Sequence, residues 1–367
     1  MRSGSTSTVA VVAAVVAIHI CLAQAFNPPA VVAGGRSEEP PATTLRLGYG
    51  GPPDAGRNPA HGFAEELQRE VAERSEGRMS VLLFPENQLG TPRELLDGGA
   101  TLTIAPASVL EELVPELRAA AIPFLFPDRE AARRFYRESD FFARVGTVLE
   151  EGAGARVLEV VEVPGAVGFS NAVRPLRSPA DFSGLSFVLG GGRYGEVVRA
   201  LGAGIVDGSG TGSENGGGNG GENGGGNGIG AADGTVGTAP ELLAAGMHTR
   251  FTYRSEVGLA FPVQYLLASR PALESLPAAD RRIIVAAAAA AAVSHADRTD
   301  ARAATVRTAL EAAGVEFFIP GPIEREELRR IAQPAYIDEL ERSISLEWIT
   351  LALDGASETE QAAESDQ

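Results

Sequence analysis

The chain has 367 residues, 44% of them hydrophobic, which suffices for two domains or one large α/β unit and excludes disorder of the whole. Its 48 acidic residues outweigh 31 basic ones, all of them arginine, for a formal charge of −17. Nucleic acid is therefore not an expected partner, and any anion site has to be a local cluster of arginines and backbone N–H groups. The simplest reading of the acidity is solubility, in keeping with a salty environment.

The first twenty-five residues read as a secretory signal peptide, with Arg2 at the start, an apolar run from Val9 to Ala17 and Ala23-Gln24-Ala25 as a small-x-small cleavage site. An uncleaved anchor and a lipid attached to Cys21 are the alternatives; Ile20 before the cysteine argues against the second. Cys21 is the only cysteine, so cleavage near Ala25 excludes disulfides, thiolate catalysis and cysteine-ligated metals in the mature chain. Residues from about 26 to 43, rich in Pro, Ala and Gly, are expected to be a flexible lead-in.

From Thr44 the pattern is regular. A strand is expected at Leu45–Tyr49 and a helix from about His61 to Glu73, with Phe63, Leu67 and Val71 on one face. A turn at Gly77 and a strand to Phe84 follow, and Pro85 breaks that strand into a loop closing on Gly90. Further on, the sequence predicts helices at Arg93–Asp97, Leu110–Ala119 and Glu130 to about Glu151, a strand at Thr101–Ala105 and a buried crossing at Ile122–Phe126. The strand Arg156–Val163 leads to Gly168-Phe-Ser-Asn171, and Pro179, Asp181 and Gly184 suit a turn before the next strand. Alternating strands and helices of this length predict an α/β fold with a largely parallel sheet.

Gly208 to Gly230 is a Gly/Asn/Ser/Glu tract that cannot bury enough surface to offset its ordering entropy, and is expected to be a disordered loop. After it come a helix at Pro240–Ala245, strands around Thr249–Tyr253 and Val257–Phe261, and a long helix from Pro277 through Ala296 toward Ala313. Gly314 ends that helix, Val315–Ile319 makes an edge strand, and a last helical region from Glu324 to about Leu351 precedes a polar, acidic tail.

The run Glu73-Arg-Ser-Glu-Gly-Arg-Met-Ser-Val-Leu-Leu-Phe-Pro-Glu-Asn-Gln-Leu-Gly90 carries a resemblance, together with Leu45-Arg-Leu-Gly48, Ile122-Pro-Phe-Leu-Phe-Pro-Asp128 and Arg174-Pro-Leu-Arg-Ser-Pro-Ala-Asp-Phe-Ser-Gly-Leu185. In order and spacing these segments resemble the solute-binding proteins of tripartite ATP-independent periplasmic (TRAP) transporters, the DctP type, over roughly Thr44 to Ile344. The resemblance implies a type II periplasmic binding protein, with two α/β lobes, a hinge and a ligand cleft between them. Residues 44–164 with about 263–300 would form lobe I, and 165–262 with about 301–351 lobe II, leaving 352–367 as the tail. It also implies a periplasmic receptor that delivers a small organic acid to a TRAP membrane permease, without catalysis and without a cofactor.

In the resembled family an arginine at a strand end pairs with the substrate carboxylate, for which its two-pronged donor is suited. Here Val188 stands in its place, and a second family arginine falls at about Ala166. Candidates to take over are Arg193 and Tyr194 after Gly190-Gly-Gly192, a loop whose bare backbone allows close approach to an anion. Arg193 is otherwise a solvated loop residue. Arg174 and Asn171 are further candidates, Arg174 alternatively a partner of an acidic neighbour. On the other lobe Arg57 and Asn58 fall where the resembled family has a ligand-facing loop, and Ser108 at a second such position, which makes each a candidate.

His61, His248 and His295 lack metal-ligand spacing, and no Gly-x-Ser-x-Gly elbow, Walker loop or dinucleotide fingerprint occurs. Two rivals stand beside the transport reading: a module presenting its ligand to a membrane sensor, and a degenerate paralogue with no small-molecule ligand.

Overall fold

A computed structural model describes residues 43–190, 193–206 and 230–365. The expected signal peptide, the lead-in and nearly all of the Gly/Asn tract lie outside the described residues. Two sheets organise the chain into two α/β lobes. The first has the strand order β2-β1-β3-β10-β4, and the second β11-β9-β5-β8-β6-β7.

The first sheet begins with β1 (Thr43–Tyr49), parallel to β2 (Met79–Phe84) and to β3 (Leu102–Pro106). Helix α1 (Pro59–Arg74) joins β1 to β2. Asn58 caps it by accepting from the Ala60 N–H at 3.2 Å, and Pro59 supplies a helix-compatible φ at the first position. Phe63, Leu67 and Val71 are fully buried against the sheet, as their spacing requires.

Where one helix is expected at Leu110–Ala119, the chain forms a short helix α2 (Ala107–Glu111) and a 3₁₀ segment starting at Pro115. Proline has no N–H to continue the α ladder. The helix expected from Glu130 to Glu151 is likewise two helices, α3 (Arg129–Glu138) and α4 (Asp140–Ala153). Ser139 ends one and caps the other, accepting from the Phe142 N–H at 3.2 Å. Gly154, at φ 59°, closes α4 in the left-handed region.

Strand β4 (Ala155–Glu162) completes the first sheet, and the chain crosses at residues 163–166 into β5 (Val167–Asn171) of the second. There follow β6 (Ser186–Leu189), α5 (Gly195–Ala200), β7 (Gly204–Val206), β8 (Gly234–Gly237) and α6 (Ala239–Ala244). The two strands expected at Thr249–Tyr253 and Val257–Phe261 are a single strand, β9 (Tyr253–Ala260), preceded by a 3₁₀ turn at Met247–Thr249. After Phe261-Pro262 the chain returns as β10 (Val263–Ser269), antiparallel between β3 and β4. This strand is unforeseen in the sequence reading, and it is buried at six of its seven positions.

Helix α7 (Ala278–Ala312) packs its first half on α1 through Ile284, Ala287, Ala288 and Ala291. Its last turns bury Val306 and Leu310 in a separate cluster with Phe251 and Val315. Gly314 at φ 90° then turns the chain into the edge strand β11 (Glu316–Phe318). Helix α8 (Pro322–Leu340) follows, and α9 (Leu346–Ser365). The stretch expected as a tail thus continues a helix, because Trp348, Ile349, Ala352 and Ala356 are buried in a core shared with α3 and α4.

Candidate functional site

A cleft of about 800 Å³ lies between the two sheets, lined by strand ends and loops of both. Ligands of open α/β sheets bind at such strand ends, where loops and helix N-termini converge. Five arginines line it, at 57, 193, 254, 298 and 302, against the two glutamates Glu111 and Glu241. The cleft is therefore locally positive inside a chain of charge −17.

Arg193 and Tyr194, the candidates for takeover, lie in this cleft. Arg193 Nη2 donates to Glu111 Oε2 at 2.7 Å, joining the loop after β6 to α2 across the gap. Burial raises the Glu111 carboxyl above its ordinary range, and the nearby arginines only partly offset this. Burial also pushes the Tyr194 phenol up to about 12, and Tyr136, Tyr265 and Tyr336 upward as well. These rings therefore stay neutral, and Tyr136, Tyr194 and Tyr265 serve as apolar cleft walls with polar tips. Tyr194 lies against Tyr336 with ring centroids 5.8 Å apart.

On the first lobe, Arg57, Asn58 and Ser108 also line the cleft. Arg57 is exposed, whereas Asn58 is committed to the fold, its Nδ2 donating to Gly50 O and Pro52 O at 2.9 Å each. The buried Ser108 hydroxyl finds no hydrogen-bond partner among the described residues.

Arg174 and Asn171 do not join this group. Asn171 is fully buried; its Oδ1 accepts from Val173 N and Arg174 N, and its Nδ2 donates to Arg174 O. Arg174 donates to the carbonyls of Asp181 at 3.0 Å and Ser183 at 2.7 Å. Both hold the turn that leads into β6, so the ligand role expected of them is corrected to a structural one.

Sequence reasoning passed over Glu111, Arg254, Arg298 and Arg302, and weighed His295 only as a metal ligand, although it is buried at the cleft. Arg254 is 1% exposed, yet it lines the cleft. It donates to Ser170 Oγ at 3.2 Å, Gly237 O at 2.8 Å, Ala166 O at 3.0 Å and Glu256 Oε1 at 3.2 Å. The sequence held no such signal, since Val257 and Leu259 mark the apolar face of β9 and Arg254 shares the opposite face with Glu256 and Gly258. On α7, Arg298 donates to Gly62 O at 2.8 Å, and His295 Nε2 meets Glu162 O at 2.9 Å. Among the described residues no cluster of three or more His, Cys, Asp or Glu is placed to hold a metal ion, and no helix is long and apolar enough to cross a membrane.

Residues 54–210 and 229–342 match the family model DctP, described as bacterial extracellular solute-binding protein, family 7. A curated relative, the 2,3-diketo-L-gulonate-binding periplasmic protein YiaO of Escherichia coli K12, is 28% identical over 151 residues, 39% of this chain. The match spans 43% of that relative, so the chain covers less than half the length of the curated protein it resembles. A TRAP periplasmic solute binding protein from Ochrobactrum anthropi superposes with a TM-score of 0.75 at 20% identity, over 88% of this chain and 98% of the other. One from Chromohalobacter salexigens with bound D-glucuronate gives 0.68 at 20% identity, over 85% and 99%.

Proposed function

The chain belongs to the DctP family of bacterial extracellular solute-binding proteins, family 7, and on that premise we propose that it captures a small organic anion in the cleft and delivers it to the membrane subunits of a TRAP transporter. One observation carries the choice of an anion: the cleft gathers five arginines against two glutamates in an otherwise acidic chain. A desolvated cleft strengthens the attraction of such a cluster for a carboxylate, while the acidic exterior repels the same ligand at long range and leaves recognition to the site. Relatives named for 2,3-diketo-L-gulonate and solved with D-glucuronate bound support a sugar acid or similar carboxylate.

Capture would occur between one lobe made of 44–164 with about 263–300, on which α9 packs, and another made of 165–262 with about 301–340. Besides the passage made within α7, the crossings at 163–166 and 261–262 are short, as a hinge requires. The ligand contacts would come from Arg193, Tyr194, Arg57 and Ser108. In this reading the protein is a periplasmic carrier exported by its N-terminal signal, and it catalyses nothing.

The test is thermal unfolding of the protein against carboxylates, sugar acids, amino acids and neutral solutes. A ligand at a hundred times its dissociation constant adds about 2.7 kcal/mol of stability. An upward shift confined to acids, reduced in Arg193→Ala, supports the proposal. A folded protein that shifts with no compound overturns it in favour of a protein-interaction role.

A further inference from the structure

Val188 leaves β6 without an arginine at its strand end, but the row of residues in which it sits contains one. Val188 pairs with Thr235 on β8, Thr235 with Ser170 on β5, and Ser170 with Arg254 on β9. Residues paired across a sheet send their side chains to the same face. Arg254 therefore projects from the face that Val188 occupies, three strands along, and its guanidinium reaches back over β5 and β8 to Ser170 Oγ and Gly237 O.

Gly168 makes that reach possible, since a Cβ there would lie 3.0 Å from Arg254 Nη2 and 3.2 Å from Cζ. Of the five N–H groups of the guanidinium, four are directed to Glu256, Ser170, Gly237 and Ala166. The fifth, on Nη2, has no acceptor among the described residues. Ser170 Oγ accepts from Nη1 and so keeps its own O–H to give. Arg254, Ser170 and Thr235 all line the cleft.

We propose that this row is the anion subsite of the second lobe: the ligand carboxylate accepts from Ser170 Oγ–H and from the remaining Nη2 N–H, and Arg254 supplies the charge that Val188 does not. The inference rests on the cleft being a solute site and names the residues that select the acid there. A guanidinium keeps its charge when buried, and fixed in a water-poor wall it attracts an anion more strongly than an exposed one does. Glu256 engages only Nε, so the remaining Nη2 N–H is left to the ligand.

The experiment is calorimetric titration of the full chain with D-glucuronate, pyruvate and succinate, each beside its amide. Ser170→Ala and Arg254→Lys are compared with the parent at matched thermal stability. Loss of a hydrogen bond to a charged group corresponds to a fall of about tenfold to a hundredfold in affinity for the acid. The amide, which carries no charge, is expected to change far less. Arg254→Met combined with Val188→Arg is expected to recover acid binding that Arg254→Met alone loses, a result that a merely structural role for Arg254 does not produce. Equal affinity for the acid in the parent, Ser170→Ala and Arg254→Lys overturns the subsite and leaves the transport reading standing. If the parent binds none of the three acids nor any other acid of the unfolding panel, the transport reading falls and the subsite falls with it.

Discussion

Arg193 Nη2 and Glu111 Oε2 lie 2.7 Å apart, in a contact that ties the loop after β6 to the first lobe. The pair engages a second cleft arginine, so an acid whose polar groups reach Arg193 competes with Glu111 for it. Glu111→Gln is expected to change the stability of the ligand-free protein by no more than about 1 kcal/mol, because burial already opposes the Glu111 charge and Arg193 retains 27% exposure. The same variant is expected to bind the preferred acid several-fold more tightly, since the competing charge is gone. Urea unfolding and calorimetric titration of parent and variant check the two halves.

Gly168 sits beneath the Arg254 guanidinium with no room for a side chain. A Cβ there would lie 2.5 Å from Ser255 O as well as 3.0 Å from Arg254 Nη2. Gly168→Ala is therefore expected to cost about 1–3 kcal/mol through overpacking, and to weaken acid binding through displacement of Arg254. Urea midpoints measure the first effect, and titration of whatever remains folded measures the second.

His295 is buried on α7, with Nε2 toward Glu162 O. Burial lowers its pKa, and Arg298 lowers it further, against the contact with Glu162 and the charge of Glu66. The folded protein thus binds this proton less readily than the unfolded chain, in which histidine titrates near ~6.5. Stability rises with pH wherever the unfolded state holds more protons, so this contribution is present above about 6.5 and is lost as pH falls below it. Glu111 and Glu159, raised by burial, act in the opposite sense. Comparing parent with His295→Gln, which carries both glutamates, isolates the histidine. The melting temperature of the variant is expected to fall less between about pH 7 and about pH 5.5.

Trp348 on α9 meets Phe141 edge-on, with centroids 5.8 Å apart, and the Arg144 guanidinium lies 4.7 Å from its ring centroid. If α9 is an integral layer of the fold, Trp348→Ala is expected to cost about 3–5 kcal/mol, as for other large core truncations. A loss within about 0.5 kcal/mol in urea unfolding would show α9 to be an appendage.

The elements that follow from local rules were legible in the chain itself. The face Phe63-Leu67-Val71 and the glycine at the end of α7 each act within a turn or two of helix, whereas Asn58, expected to face ligand, proved to be the cap of α1. With the alternation of strands and helices they determine an α/β fold with its cleft at the strand ends. The strand β10 was missed because its seven residues carry no alternating pattern, being buried on both faces of the first sheet. The extent of α9 was missed because its sequence turns polar and acidic beyond Leu351, and packing on α3 decides its structure rather than composition. The charge pattern of the cleft belongs wholly to tertiary structure. Glu111 meets Arg193 across 82 positions, and Ser170 meets Arg254 across 84. Contacts so distant along the chain leave no period in a local window, so Arg254 reads in the sequence as one arginine among many until the register of β5 and β9 brings it over Gly168.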